Sequence, residues 1–244
     1  MYEHPEVESL LDSLIEGAAS RNNSALREIC SNAVAEFAKW SLKQMTEKEI
    51  KENPSNVKSL IRRIESNSNH PDPFKRLSAV LCFNKIFSII RDKDSLIDRF
   101  CLQIAQCVLA SLKMCHNSLE FSQEVVDNCV KLLDKIHKVM TRKTAILMES
   151  NPKRSIHQNL FVFIQYLFEK FTSVETVCRR ECMKLWEGLV RNLPPKNAEN
   201  VPDNPRAYAL EYHPKLRGER SLFRRLAAIK FGEEEESKAS VGTL

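Results

Sequence analysis

The sequence predicts an all-α protein, an α-solenoid in which helical hairpins stack side by side. Three observations carry that prediction. Only five glycines occur in 244 residues, too few for the tight turns of a sheet protein. Apolar residues recur at three- and four-residue steps through long segments free of glycine and proline. The helices so marked arrive in pairs, joined by short corners of proline, asparagine and serine.

The first helix is expected over 6–18, with Val7, Leu10, Leu11, Leu14 and Ile15 on one side. Asn22, Asn23 and Ser24 make a corner, and Ser24 is the expected cap of a second helix to about Met45. Its expected inner face is Leu26, Ile29, Cys30, Ala33, Phe37 and Trp40; its outer face is Arg27, Ser31, Glu36, Lys39 and Lys43. Residues 47–53 are polar and expected to fray. Pro54 then reopens a helix at its first position, carrying Val57, Leu60, Ile61 and Ile64 to about Ser66.

Pro71 and Pro73 bracket Asp72, the expected N-cap of the next helix. That helix is apolar nearly all round, through Phe74, Leu77, Val80, Leu81, Phe83, Ile86, Phe87, Ile89 and Ile90. Only Lys75, Ser78, Lys85, Ser88 and Asp92 form a polar line. A helix of this kind packs on several sides and belongs inside something larger than one hairpin.

Asp94 or Ser95 caps a helix over 96–115, and Ser118 caps another that runs to about Glu149 through Phe121, Val125, Cys129, Leu132, Leu133, Ile136 and Met140. An aromatic-rich helix follows over 156–171. Thr172-Ser173-Val174-Glu175 reads as a capping box opening a helix through Cys178, Cys182, Leu185, Trp186, Leu189 and Leu193. Hairpins thus begin near residues 6, 54, 94 and 155, at spacings of 48, 40 and 61. Recurrence near 40–47 residues marks degenerate HEAT-type or armadillo-like arrays, and a compact helical bundle is the competing architecture. The domain reading is therefore an array of about four hairpins over 1–193, an extended linker over 194–218, a short helix over 219–231 and a disordered acidic tail over 232–244.

The formal charge of +5 is mildly basic and selects no partner by itself. Seven of the eight cysteines, Cys115 being the exception, lie within helical patterns among apolar neighbours. They read as small core residues of a reducing compartment, cytosol or nucleus, rather than a disulfide framework. The start lacks a basic region followed by an apolar core, and no apolar run approaches the roughly 20 residues of a membrane span, so no membrane partner is expected.

Phosphoryl transfer needs a glycine-rich phosphate cover and metal-binding acids in set motifs. No GxGxxG, DFG, HRD or GxxxxGK[ST] occurs. The sequence predicts no catalytic residue, no cofactor and no metal site. Cys178 and Cys182 stand four apart and Cys115 abuts His116, but no second ligand pair follows at zinc-site spacing. His70, His137 and His157 fall in corners or polar helix positions. The candidate contact with DNA phosphates is a basic stripe: Lys131, Lys135, Lys138 and Arg142 at steps of four, three and four, extended by Lys143, Lys153 and Arg154. Asp127 and Asp134, each four residues before a lysine of the stripe, are placed to neutralise part of it. Arg62, Arg63, Lys75 and Arg76 read as structural, Arg76 bonding an acid on a neighbouring repeat. Lys215, Arg217, Arg220, Arg224 and Arg225 form a denser patch beside the acidic tail.

Residues 10 to about 120 carry LLDSLIEGAASRNNSALREICSNAVAEFAKWSLKQMT, NPSNVKSLIRRI and HPDPFKRLSAVLCFNKIFSIIRDKDSLIDRF, and 177–194 carry VCRRECMKLWEGLVRNLP. In that order these stretches resemble part of the N-terminal helical-repeat region of the DNA-dependent protein kinase catalytic subunit family, within the phosphatidylinositol 3-kinase-related kinases. Residues 195–244 show no such likeness. The resemblance implies a non-catalytic scaffold piece of a nuclear kinase of non-homologous end joining. Its partners would be the rest of the kinase superhelix, the Ku heterodimer and double-stranded DNA ends. The alternative from the residues alone is a free-standing HEAT-repeat adaptor holding a protein partner in its concave groove.

Overall fold

The computed structural model describes residues 4–117, 122–148 and 160–192, and among these all regular structure is helical. The sequence readings for Ser118, for 149–159 and for everything beyond 192 lie outside the described residues. The elements are α1 (Pro5–Gly17), α2 (Ser24–Lys43), α3 (Glu47–Glu52), α4 (Ser55–Ser68), α5 (Pro73–Ile90), α6 (Asp94–Lys113), a 3-10 turn (Met114–Asn117), α7 (Ser122–Arg142), α8 (Thr144–Met148), α9 (Leu160–Lys170) and α10 (Thr176–Arg191). The chain divides into two compact units, 1–134 and 135–244, with the boundary inside α7.

In the first unit α1 packs on α2, α2 on α5 and α4, and α6 on both α4 and α5. The helix expected at the centre is there. Asp72 caps α5 by accepting from the Phe74 amide at 2.9 Å, and Pro73 takes the first position. Its buried residues, from Phe74, Leu77 and Val80 to Phe83, Ile86, Phe87 and Ile90, lie on every side, because other helices flank it on several sides. Two buried serines tie together helices that are not consecutive in the chain, α5 to α1 and α6 to α4. Ser78 of α5 donates to the Ile15 carbonyl at 2.7 Å, and Ser111 of α6 donates to that of Ser68 at 2.9 Å. Both acceptors sit in the last turn of a helix, where carbonyls have no partner within the helix. By length and composition α6 passes for a membrane span, contrary to the sequence reading, yet 67% of that stretch is buried in the protein, which makes it a core helix.

In the second unit α9 packs on α10 through an aromatic cluster. Phe168 and Phe171 meet edge to face at 5.1 Å, and Trp186 of α10 approaches both, at 5.8 and 6.0 Å. Such tilted and T-shaped geometry is favoured by the ring quadrupoles.

Several sequence expectations are corrected here. Asn23, not Ser24, caps α2: its side chain accepts from the Leu26 amide. The buried face of α2 is Arg27, Cys30, Ser31, Val34, Ala35, Ala38, Ser41 and Leu42, while Leu26, Ile29 and Trp40 are exposed. Small side chains let α2 lie close to its neighbours, so burial followed size rather than apolarity. Residues 47–52 form α3 under a complete capping box between Thr46 and Glu49. Thr172 does not cap α10; Glu175 does, accepting from the Val177 amide at 3.1 Å. The long helix after Ser118 is broken at Lys143 into α7 and α8.

Candidate nucleic-acid interface

The stripe is built on α7. Val125, Cys129, Leu132, Leu133, Ile136, Val139 and Met140 are buried, and this apolar side turns the basic residues outward. Lys131, Lys138 and Arg142 are exposed, and Lys135 is half-buried. At 1.5 Å per residue the span from Lys131 to Arg142 is about 16 Å, over which one strand of B-DNA carries about five phosphates. Arg142 Nε donates to the Lys138 carbonyl at 3.1 Å, which fixes the last turn. The expected pairing of Asp127 with Lys131 is not made. Asp127 accepts instead from the Gln123 amide group at 2.8 Å, and Lys131 forms no ion pair among the described residues. Lys143 falls at the break between α7 and α8 and is half-buried, and Lys153 and Arg154 lie outside the described residues.

The other polar residues singled out in the sequence are engaged in structure. Arg63 of α4 bridges Glu8 and Asp12 of α1, each at 2.7 Å, and Lys75 of α5 pairs with Glu16 at 3.3 Å. Arg76 does not reach an acid. It is fully buried, and its Nη1 donates to the carbonyls of His70 and Pro71, both at 2.8 Å. His70 turns its Nδ1 to the Asp72 amide at 3.0 Å. His137 is half-buried against Gly188 of α10 rather than a surface histidine.

All eight cysteines are buried, and none is in a disulfide. Burial pushes the Cys82 thiol up to about 12, and desolvation raises Cys107 too. Cys178 and Cys182 stand one turn apart on α10, and their interaction lowers the Cys178 thiol while it and burial raise that of Cys182. Among the described residues no three His, Cys, Asp or Glu side chains gather as metal ligands.

The feature that sequence reasoning missed is a repeated clasp. Arg27, Arg76 and Arg179 each occupy the fourth position of a helix, four residues after its cap residue Asn23, Asp72 or Glu175. Each guanidinium turns back to carbonyls of the corner before its helix. Arg27 reaches Ser20 at 3.0 Å and Arg21 at 3.4 Å, and Arg179 reaches Ser173 at 2.8 Å and Val174 at 3.3 Å. The signal was present as a capping side chain followed four residues later by arginine. Arg27 also forms a fork to Glu124 of α7, at 2.9 and 3.0 Å.

Paired helices with a recurring corner clasp, buried thiols and an exposed basic ridge on α7 define a helical-hairpin packing protein. The family model described as "DNA-dependent protein kinase catalytic subunit, CC1/2" matches residues 1–243. The chain belongs to that family. It is 31% identical over 201 residues to the DNA-dependent protein kinase catalytic subunit of Mus musculus, covering 79% of this chain. The catalytic subunit of Xenopus laevis is 30% identical over 201 residues and that of Dictyostelium discoideum 29% over 222, each again covering 79% of this chain. The chain spans about 5% of the length of these relatives. The match lies in the helical CC1/2 region, not in a kinase domain.

Proposed function

We propose that this chain is a non-catalytic scaffold segment of a DNA-dependent protein kinase catalytic subunit-like molecule, built as a solenoid of HEAT-type hairpins. The observation that carries this reading is the clasp shared by Arg27, Arg76 and Arg179. It recurs in the second helix of each of three hairpins, α1/α2, α4/α5 and α9/α10, as a repeated unit would. The setting proposed with it, which membership of that family supports, is double-strand break repair by non-homologous end joining in the nucleus, with the rest of the superhelix, the Ku heterodimer and DNA ends as partners.

Within that role the α7 stripe meets the phosphate backbone and reads no bases. Lys131 is unpaired among the described residues and three of the four stripe cations are exposed, which suits electrostatic contact. The test is salt-dependent binding of a fluorescent DNA duplex by the chain and by a variant combining Lys131→Gln, Lys135→Gln and Lys138→Gln. The variant is expected to flatten the log affinity–log salt slope by about 2 to 3, close to one per lost phosphate contact. An unchanged slope and affinity would remove the stripe from the DNA-contact role.

A further inference from the structure

Cys178 and Cys182 lie on one face of α10, and both are 0% exposed. No disulfide joins them. The helix itself works against one. Cβ atoms four residues apart on a helix are about 5–6 Å from each other, and a disulfide needs roughly 3.5–4.5 Å. An ion held between the two sulfurs meets no such obstacle. Two metal–thiolate bonds of about 2.3 Å in line set the sulfurs about 4.6 Å apart. Side chains rising from neighbouring turns span that without moving the helix.

The surroundings suit a thiolate at the first sulfur. Cys178 is the third residue of α10, in the turn where backbone amides have no partner within the helix and the dipole favours negative charge. The Cys182 thiol favours negative charge on the Cys178 sulfur; burial and Glu175 oppose it, and the Ser173 hydroxyl and Lys170 ammonium add to the favourable side. Ser173 Oγ accepts from the Glu175 amide at 3.4 Å, which leaves its hydroxyl proton to be donated to sulfur. Cys178 and burial keep the proton on Cys182, Glu181 adds to this, and Lys170 opposes it. The empty pair is one sulfur disposed to be anionic beside one that holds its proton.

The donor set selects the ion. Structural zinc and iron–sulfur clusters take four protein ligands, and among the described residues no third His, Cys, Asp or Glu joins these two. Two thiolates alone suit a soft monovalent ion in linear coordination, copper(I) foremost. We infer that Cys178 and Cys182 form a two-coordinate copper(I) site on α10. Binding makes two copper–sulfur bonds and releases the proton of each thiol, and no electron is exchanged. The positive charges of copper(I) and Lys170 together offset the two thiolates.

The experiment is an anaerobic titration of the full chain with copper(I) against a competing chelator, joined to X-ray absorption of the loaded chain. The sequence has two tryptophans, so Trp40→Phe leaves the emission to Trp186, four residues beyond Cys182 on the same face. Expected are one copper(I) held per chain, quenching of that emission complete at one equivalent, and a copper ion with two sulfur neighbours. Affinity should rise with pH, because thiol protons leave on binding. Cys178→Ser and Cys182→Ala, each of unchanged helix content, should weaken binding on the order of 100-fold or more. Cys129→Ala, which alters a buried thiol on α7, should keep the ion. The coordination number in the unaltered chain decides the matter even where a variant fails to fold. A wild-type chain that holds no copper(I), a third sulfur on the ion, or full binding by the doubly substituted chain overturns the proposal.

Discussion

Arg76 Nη1 stands 2.8 Å from the carbonyl oxygen of His70, a residue six places earlier in the chain. The corner and the helix it feeds are thereby closed into one ring. Arg179 and Ser173 repeat the relationship at the same distance and the same sequence separation. In both cases a buried guanidinium donates to backbone oxygens that a corner would otherwise leave to water, although Arg76 Nε itself has no acceptor. Replacing Arg76 by methionine keeps much of the apolar stem and leaves two carbonyls without their donor. The expected loss is about 2–4 kcal/mol in a urea titration followed by circular dichroism. Arg76→Lys should recover only part of it, because an ammonium lacks the planar fork. A loss below about 0.5 kcal/mol would mean that the corner holds its shape unaided.

Asp72 links capping to pH. Burial pushes its carboxyl upward, but the Phe74 amide and the Arg21 guanidinium together outweigh this and lower it below the usual aspartate value. A depressed carboxylate stabilises the fold above its unfolded value near ~4 and loses that contribution as pH falls through the folded value. Arg21 is largely exposed and its share is screened, so the amide contributes most. Asp72→Asn keeps a capping acceptor and removes the charge. It should cost on the order of 1 kcal/mol at pH 7, and the difference from the wild type should vanish as pH drops below about 4. A gap that stays constant across that range would assign the effect to shape instead of charge.

Arg27 and Glu124 are 97 residues apart and form a two-pronged pair, with Arg27 nearly buried and Glu124 part exposed. A cycle of Arg27→Met, Glu124→Gln and the double variant should give a coupling of about 1–2 kcal/mol, above the usual surface ion pair. Arg27→Met alone should cost more than Glu124→Gln alone, since Arg27 also holds the Ser20 carbonyl. Additive single effects would reduce the pair to a passive contact.

The helices of this chain were legible because their punctuation is strong. The Pro-Asp-Pro entry to α5 and the apolar spacing of α6 leave little choice of conformation. Which way a helix faces was harder to read. On α2 the rule that apolar means inside failed: Val34, Ala35, Ala38 and Ser41 are buried and Ile29 and Trp40 are outside. A pattern of apolar and polar residues cannot distinguish packing by small side chains from packing by large ones. The clasp arginines escaped notice for a related reason. Arg27 and Arg179 look like surface charge until their corner carbonyls are placed, and only Arg76, inside an apolar run, stood out as structural. The α7 stripe was visible as spacing. Of its expected neutralisation, the Asp127–Lys131 pair is not made, since Gln123 donates to Asp127 one turn earlier.

Gly188 gives a test of packing in the second unit. A Cβ built there would collide with His137 Nε2, come within 2.8 Å of its Cδ2 and reach 3.0 Å from Thr141 Oγ1. The position is helical, so alanine's better helix propensity favours the substitution by up to about 1 kcal/mol. The clash works against it. His137 is half-buried, so the ring must shift to make room for the methyl group. Overpacking costs about 1–3 kcal/mol, so Gly188→Ala should be destabilising on balance. If the imidazole is the obstacle, His137→Ala should absorb the insult. The double variant would then be more stable than the sum of the single losses predicts by about 1 kcal/mol. Gly188→Ala as stable as the wild type would show that helix propensity wins and that α7 and α10 tolerate a wider separation.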